Sequence, residues 1–254
     1  MVQSKIKSYA KINLALNVIG KKSALHQIES IITFVLLSDD IIIKKINSDS
    51  HKIYFCGKFS KNISKENTVS KLLNILEKKN FLGDKKFKIT INKKIPNKAG
   101  LGGGSMNAAA LLNYFIKKKI IKTIKKNITE ICKSIGSDVI LGLNFTNSIL
   151  TSTNEIKLFR KCKIFYALII KPNFGCSTKQ IYSNVKKFNK PKIKQPLKKM
   201  FDLNYLKKMD NSLEHIALLK YPKLRLIKLY LESLSNPVFV RMTGSGSALV
   251  AYFQ

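Results

Sequence analysis

The 254-residue chain is 45% hydrophobic and carries a formal net charge of +33, from 47 lysines and arginines against 14 aspartates and glutamates. That length allows one large or two modest domains with a sizeable core, and no apolar run is long enough to span a membrane. Cys56, Cys132, Cys162 and Cys176 show no paired ligand spacing and His26, His51 and His215 fit no metal pattern, so reduced thiols and a cytoplasmic setting are expected, with no metal held by a dedicated cage.

The charge has two readings. A basic protein can serve nucleic acid or an anionic membrane. Here the lysines are scattered, never five or six in a row, among abundant isoleucine and asparagine, whose codons are also A/T-rich. Compositional drift is therefore favoured, with no specific nucleic-acid partner and no membrane partner. A positive field would still attract anionic substrates. The basic start is followed by an apolar stretch that Asn13 and Asn17 interrupt, a poor signal-peptide core.

In chain order, Lys5 to Ile19 alternates and predicts a strand, with Ile12, Leu14, Leu16 and Val18 on one face. Residues 28–35 and 40–46 predict two further strands joined by a turn at Ser38-Asp39-Asp40. Residues 53–55 suggest another strand. From Asn67 to Lys79 the apolar residues Val69, Leu72, Leu73 and Leu76 recur at helical spacing. The alternating segment Phe87 to Asn92 reads as a strand. It leads into Pro96-Asn-Lys-Ala-Gly-Leu-Gly-Gly-Gly-Ser-Met-Asn107, and an alanine-rich helix follows.

This strand, glycine loop and helix form the most informative stretch. Four of the five residues from Gly100 to Gly104 are glycine, which lets backbone N–H groups approach a ligand closely. They sit before a helix N-terminus, whose partial positive charge favours an anion. Ser105 and Asn107 can cap the helix or bond a phosphate oxygen. The loop is neither a Walker loop, which ends Gly-Lys-Ser/Thr, nor a dinucleotide fingerprint, because Ser105 stands where the last glycine belongs.

Asn127 to Ile135 predicts a second helix stopped by Gly136, and Ser137-Asp138-Val139 follows at once. Taken alone, Asp138 reads as a turn former or helix cap. Residues 149–151 and 157–159 suggest a hairpin. Phe165 to Ile170 predicts a buried strand, Ser183 to Lys199 a lysine- and proline-rich loop, and residues 210–219 and 223–234 helices. The chain closes with a strand, the turn Thr243-Gly-Ser-Gly-Ser247 and the apolar Leu249 to Phe253.

Ala10-Lys11-Ile12-Asn13-Leu14, the glycine loop, Gly136-Ser137-Asp138 and Met242 to Ala248, in this order, resemble the GHMP small-molecule kinases over nearly the whole chain. Pro-x-x-x-Gly-Leu-Gly-Gly-Gly-Ser is similar to the loop of the subfamily that phosphorylates a cytidine-diphosphate-linked alcohol in the non-mevalonate isoprenoid route. The resemblance implies an α+β, two-domain GHMP-kinase fold. An ATP-loop domain would occupy residues 1–154 and a smaller, truncated domain 155–254, with the active site in the cleft between them. It implies ATP as phosphoryl donor, bound by Pro96, Asn97, Lys98, Ala99, Gly100, Leu101, Gly102, Gly103, Gly104, Ser105 and Met106. Magnesium is expected with ATP, and the protein is expected to be a monomer or homodimer.

By the same resemblance Asp138 would orient or deprotonate the attacking hydroxyl. Lys11 would stabilise the ionised aspartate, polarise the hydroxyl or offset phosphate charge. Substrate contacts carry over to Asn13, His26, Thr178 and Tyr182, with Tyr182 stacking on the base. The family usually has a glycine and a tyrosine before the histidine, where Ala24 and Leu25 stand, so one stacking surface is missing. The family's second loop serine is Met106, which removes a hydroxyl available to phosphate or magnesium. The family pattern continues beyond the last glycine turn, so an uncovered face or open sheet edge is expected. Rival readings are another GHMP kinase acting on mevalonate or homoserine, an inactive kinase relic, and a basic nucleic-acid-binding protein.

Overall fold

A computed structural model describes residues 3–23 and 25–254. In chain order the first elements are β1 (Gln3–Lys22), β2 (Leu25–Ile46), β3 (Lys52–Cys56), α1 (Thr68–Lys78), β4 (Lys86–Asn92), α2 (Gly103–Lys117) and α3 (Lys125–Ile135). Then come β5 (Asn147–Leu150), β6 (Ile156–Phe159), β7 (Tyr166–Ile170), α4 (Thr178–Ser183), α5 (Leu203–Lys207), α6 (Glu214–Lys220), α7 (Pro222–Glu232), β8 (Phe239–Met242) and β9 (Leu249–Phe253). The residues gather into two compact units, each drawn from separate stretches of chain.

The first unit comprises Met1–Ala10, Val35–Asn97 and Gly102–Phe145. Its sheet pairs the second half of β2 antiparallel with β4, from Asp40 opposite Asn92 to Ile46 opposite Lys86. β3 adds to β4 in parallel. Alternation along β4 buries Phe87, Ile89 and Ile91, and these meet Leu72 and Leu76 of α1 and Leu111 and Phe115 of α2 in one core. Burying each such side chain contributes about 1.5–3 kcal/mol. Asn67 starts α1 with a capping box, its side chain accepting from Val69 and Ser70 while Ser70 accepts from the Asn67 N–H. Such a cap contributes about 1 kcal/mol.

The expected turn at Ser38-Asp39-Asp40 does not form, and β2 runs straight through it. The reason is a distant partner. Asp39 is fully buried and its Oδ1 accepts the N–H groups of Lys94 at 2.7 Å and Ile95 at 2.8 Å, while Oδ2 takes the buried Lys93 ammonium. The carboxylate therefore satisfies β4's exit and not its own backbone, so no local turn competes with the strand.

The second unit comprises Lys11–Phe34, Lys98–Leu101 and Thr146–Gln254. The first half of β2 pairs with β5, Ser30 opposite Leu150, and β5 pairs with β6 as the expected hairpin. A separate three-stranded sheet has the order β7-β9-β8. β7 is not the buried strand expected from its composition. It lies at the sheet edge, where Tyr166 is 71% exposed. α7 opens on Pro222, whose fixed φ suits a first turn. Arg241 of β8 is buried and donates to the carbonyls of Leu14 at 2.6 Å, Leu206 at 3.0 Å and Met209, tying three segments together.

From Asn184 to Leu197 there is neither helix nor strand, as expected, but the loop is anchored. Buried Glu29 accepts the N–H groups of Lys192 at 2.5 Å and Ile193 at 3.1 Å. Buried Asn17 donates to Glu29 at 2.9 Å and to the Lys190 carbonyl at 3.0 Å, and accepts from Asn189 at 2.8 Å.

Candidate active site

In the first unit the glycine loop becomes α2 earlier than its side chains suggest. The cap residue is Gly102 at φ +69°, a left-handed conformation open to glycine, and no side chain caps the helix. Neither Ser105 nor Asn107 serves as the cap: both lie inside the helix, and Asn107 is buried. The first intrahelical bond runs from the Met106 N–H to the Gly102 carbonyl at 2.9 Å. The amides of Gly103, Gly104 and Ser105 thus lack intrahelical acceptors, and the first turn holds no acidic side chain. An uncapped N-terminus of a 15-residue helix is a ready anion site.

The surroundings of this turn are fixed. The Thr68 hydroxyl donates to the Gly104 carbonyl at 2.6 Å. A Cβ at Gly103 would lie 3.0 Å from Ile95 Cγ2 and 3.3 Å from Lys93 Nζ, so the exit of β4 packs directly beneath it. The Asn97 amide donates to the Phe59 carbonyl at 2.8 Å. Met106 is fully buried and packs on Gly142, so its side chain supports the turn and offers nothing to a ligand.

Asp138 also belongs to the first unit. It stands just before a single 3-10 turn, Val139–Leu143, yet its side chain makes no capping bond to that turn. The cap role that Asp138 alone would suggest is not realised. Gly136 ends α3, in extended backbone.

In the second unit Lys98 to Leu101 is sandwiched between β1 and the last glycine turn. The Lys11 N–H donates to the Leu101 carbonyl at 3.0 Å. The N–H groups of Ser247 and Ala248 reach the carbonyls of Lys98 and Ala99 at 3.3 and 3.1 Å. Gly100 has φ +73°, and a Cβ there would stand 2.1 Å from the Thr243 carbonyl oxygen. The two glycine turns therefore touch backbone to backbone, a packing only glycine permits.

Lys11 is not a solvated strand lysine: it is 4% exposed, and its ammonium donates to Asn13 Oδ1 at 2.5 Å. Asn13 is buried too, its N–H on the Thr243 hydroxyl at 3.0 Å and its amide on Ser30 at 2.8 Å. Burying an ammonium is costly without such partners. Thr178, at the start of α4, shares a 2.8 Å hydrogen bond with Ser245 of the second glycine turn. The structure thus gathers Lys11, Asn13, Thr178 and the stretch 98–101 around residues 243–248.

His26 and Tyr182 form a second grouping in this unit, their rings 4.9 Å apart at 39°. Burial, assisted by the Lys21 charge, holds the His26 imidazole below its ordinary pKa of 6.5. Ala24 lies outside the described residues. Sequence reasoning missed Asp39, Lys93 and Thr68 beneath the helix start, and Thr243 and Ser30 beneath Asn13. Among these only Thr243 carried a signal, its place in a glycine-rich turn.

A family model described as the GHMP kinases N terminal domain matches residues 67–146. The chain is 59% identical over 249 residues to a 4-diphosphocytidyl-2-C-methyl-D-erythritol kinase of Pelagibacter ubique (strain HTCC1062), covering 98% of this chain and 89% of the relative. It is 35% identical over 261 residues to the kinase of the same name from Clostridium perfringens (strain 13 / Type A), covering 98% and 88%. A crystal structure of 4-(cytidine 5'-diphospho)-2C-methyl-D-erythritol kinase superposes with a TM-score of 0.77 at 23% identity, covering 98% of this chain and 89% of that one. The fold is thus the two-domain α+β fold of these kinases. With its glycine loop at an uncapped helix start, the chain belongs to the 4-diphosphocytidyl-2-C-methyl-D-erythritol kinase family of the GHMP kinases.

Proposed function

We propose that the chain transfers the γ-phosphate of ATP to the 2-hydroxyl of 4-diphosphocytidyl-2-C-methyl-D-erythritol, a step in the non-mevalonate supply of isoprenoid precursors. The observation that carries this reading is the uncapped, glycine-built N-terminus of α2 in a chain of this family. Phosphoryl transfer needs positioning and charge neutralisation more than covalent help. The amides of Gly103, Gly104 and Ser105 would take phosphate oxygens of ATP, and Pro96 to Leu101 would shape the approach. Met106 would serve as their buried support.

Asp138 would orient or deprotonate the hydroxyl. Lys11 would supply positive charge to the developing transition state, held in place by Asn13. Asn13 and Thr178 would contact the alcohol portion, and His26 and Tyr182 the cytosine. A neutral imidazole offers one donor and one acceptor to a base edge.

Magnesium would enter as part of the ATP substrate, where it neutralises phosphate charge. Among the described residues no group of three or more His, Cys, Asp or Glu side chains forms a cage for it. By family sequence we assign residues 1–154 to the ATP-loop domain and 155–254 to the second. We place the reaction in the cytoplasm, where the four free cysteines stay reduced. No helix among the described residues is long and apolar enough to cross a membrane.

The test is ADP release with ATP and magnesium, run with the cytidyl alcohol, mevalonate and homoserine in parallel. Turnover with the cytidyl alcohol alone is expected. Turnover with another alcohol, or with none, would overturn the substrate assignment.

A further inference from the structure

We propose that Phe188, on the anchored loop between α4 and α5, is a second aromatic wall of the base subsite and sets its affinity for a cytidine nucleotide. This rests on the substrate reading above. The site around His26 has one ring from α4, Tyr182, and one from the loop, Phe188, whose centroid lies 6.3 Å from the imidazole at 58°. The two rings differ in how folding explains them. Tyr182 packs against the second unit's apolar core, whereas Phe188 does not join that cluster and stays 48% exposed. An aromatic ring left half in water gains little from folding. It gains when a flat ligand face covers it.

Its placement is enforced by its neighbours in the chain. The Asn189 N–H donates to the Val18 carbonyl at 3.0 Å and its amide to Asn17 at 2.8 Å. Glu29, 1% exposed, commits its carboxylate to Asn17 and to the loop N–H groups of Lys192 and Ile193. A buried carboxylate spent on this loop, next to the buried Ile193, makes sense if the loop must hold a side chain in one place. That ordering lowers the entropy lost on binding. The flanking sequence fits the same ligand: Lys186, Lys187 and Lys190, all exposed, stand within two residues of Phe188 in the chain. Aromatic rings interleaved with lysines suit a base bearing phosphates. Leu25, beside His26, is 73% exposed and has no ring to offer, so stacking beyond Tyr182 falls to Phe188.

Binding of cytidine diphosphate to the full chain, read by calorimetry, tests this with Phe188→Ala and Phe188→Tyr. Stacking on one aromatic ring changes base affinity by about 5- to 150-fold. We expect Phe188→Ala to weaken cytidine diphosphate binding about tenfold and Phe188→Tyr to stay within twofold of the parent. In turnover the loss in Phe188→Ala should fall on KM for the cytidyl alcohol and leave KM for ATP in place. A thermal melt within a few degrees of the parent should accompany it. Parent-like cytidine diphosphate binding by Phe188→Ala overturns the proposal and leaves the substrate reading standing. Equal weakening in both variants, or a matching rise in KM for ATP, assigns Phe188 to loop structure and also overturns it. A parent that does not bind cytidine diphosphate overturns the base subsite and the proposal with it.

Discussion

Asp39→Asn separates the charge of the buried pair beneath the glycine loop from its hydrogen bonds. Both loop N–H groups, from Lys94 and Ile95, go to Oδ1, and the Lys93 ammonium faces Oδ2. An asparagine can keep its Oδ1 on both amides while turning an –NH2 donor towards the ammonium. The variant therefore loses the ion pair alone, and leaves Lys93, with its side chain 3% exposed, without its counter-charge. Breaking a buried pair in this way costs about 3–5 kcal/mol. At about 2–4 °C per kcal/mol for a chain of this size, Tm should fall by about 6–20 °C. The double variant Asp39→Asn with Lys93→Met removes the stranded charge and should recover more than half of that loss. Urea and thermal unfolding of the parent, both single variants and the double complete the cycle. A loss below about 1 kcal/mol in Asp39→Asn, or no recovery in the double, would refute the idea that this pair holds the exit of β4.

Gly100→Ala should cost more than about 4 kcal/mol, since it combines φ +73° with a Cβ 2.1 Å from a backbone oxygen; a parent-like melt would contradict the described contact between the glycine turns. Asp138→Asn should lower kcat by about 10²- to 10⁴-fold while leaving ATP binding in place, whereas a parallel loss of ATP affinity would make the residue structural. His51 should titrate below its ordinary 6.5, because burial disfavours the charged ring and the Lys86 charge adds to that effect. Its contribution to stability is full above pH 6.5 and is lost as pH falls from there through the folded pKa, because the unfolded chain binds the proton first. An NMR titration that puts His51 above 6.5 would sink this assignment despite the nearby Glu77 carboxylate, 3.3 Å away.

Local patterns carried much of this protein. The period-two alternation of residues 87–92 and the 3.6-period apolar positions of α1 report directly on one buried face, so both elements could be read from sequence. The glycine loop was legible for a similar reason, since the left-handed backbone at Gly100 and Gly102 favours glycine. What could not be read depends on partners far along the chain. Asp39 looks like a turn residue until Lys94 and Ile95 arrive, and Glu29 gives no sign that it holds a loop beginning some 150 residues later. β7 is apolar in composition, but burial of a strand depends on what packs against it, and that is a tertiary fact. Lys11 was distinguishable from the other lysines only by the residues around it, because a lone lysine carries no mark of burial.

The interleaving of the two units also sets an order in time. The last residue of the first unit is Phe145, so all of its strands and helices exist once that point has been translated. The second unit is different, because Asn13, near the start of the chain, donates its N–H to Thr243, 230 residues away. The half of β1 that carries Lys11 and Asn13 therefore completes its hydrogen bonds only when nearly the whole polypeptide has been made. At about 5–20 residues per second, the 98 residues from 145 to 243 take roughly 5–20 s to make. During that interval the nascent chain carries one unit complete in sequence and a strand segment still lacking its Thr243 and Arg241 contacts.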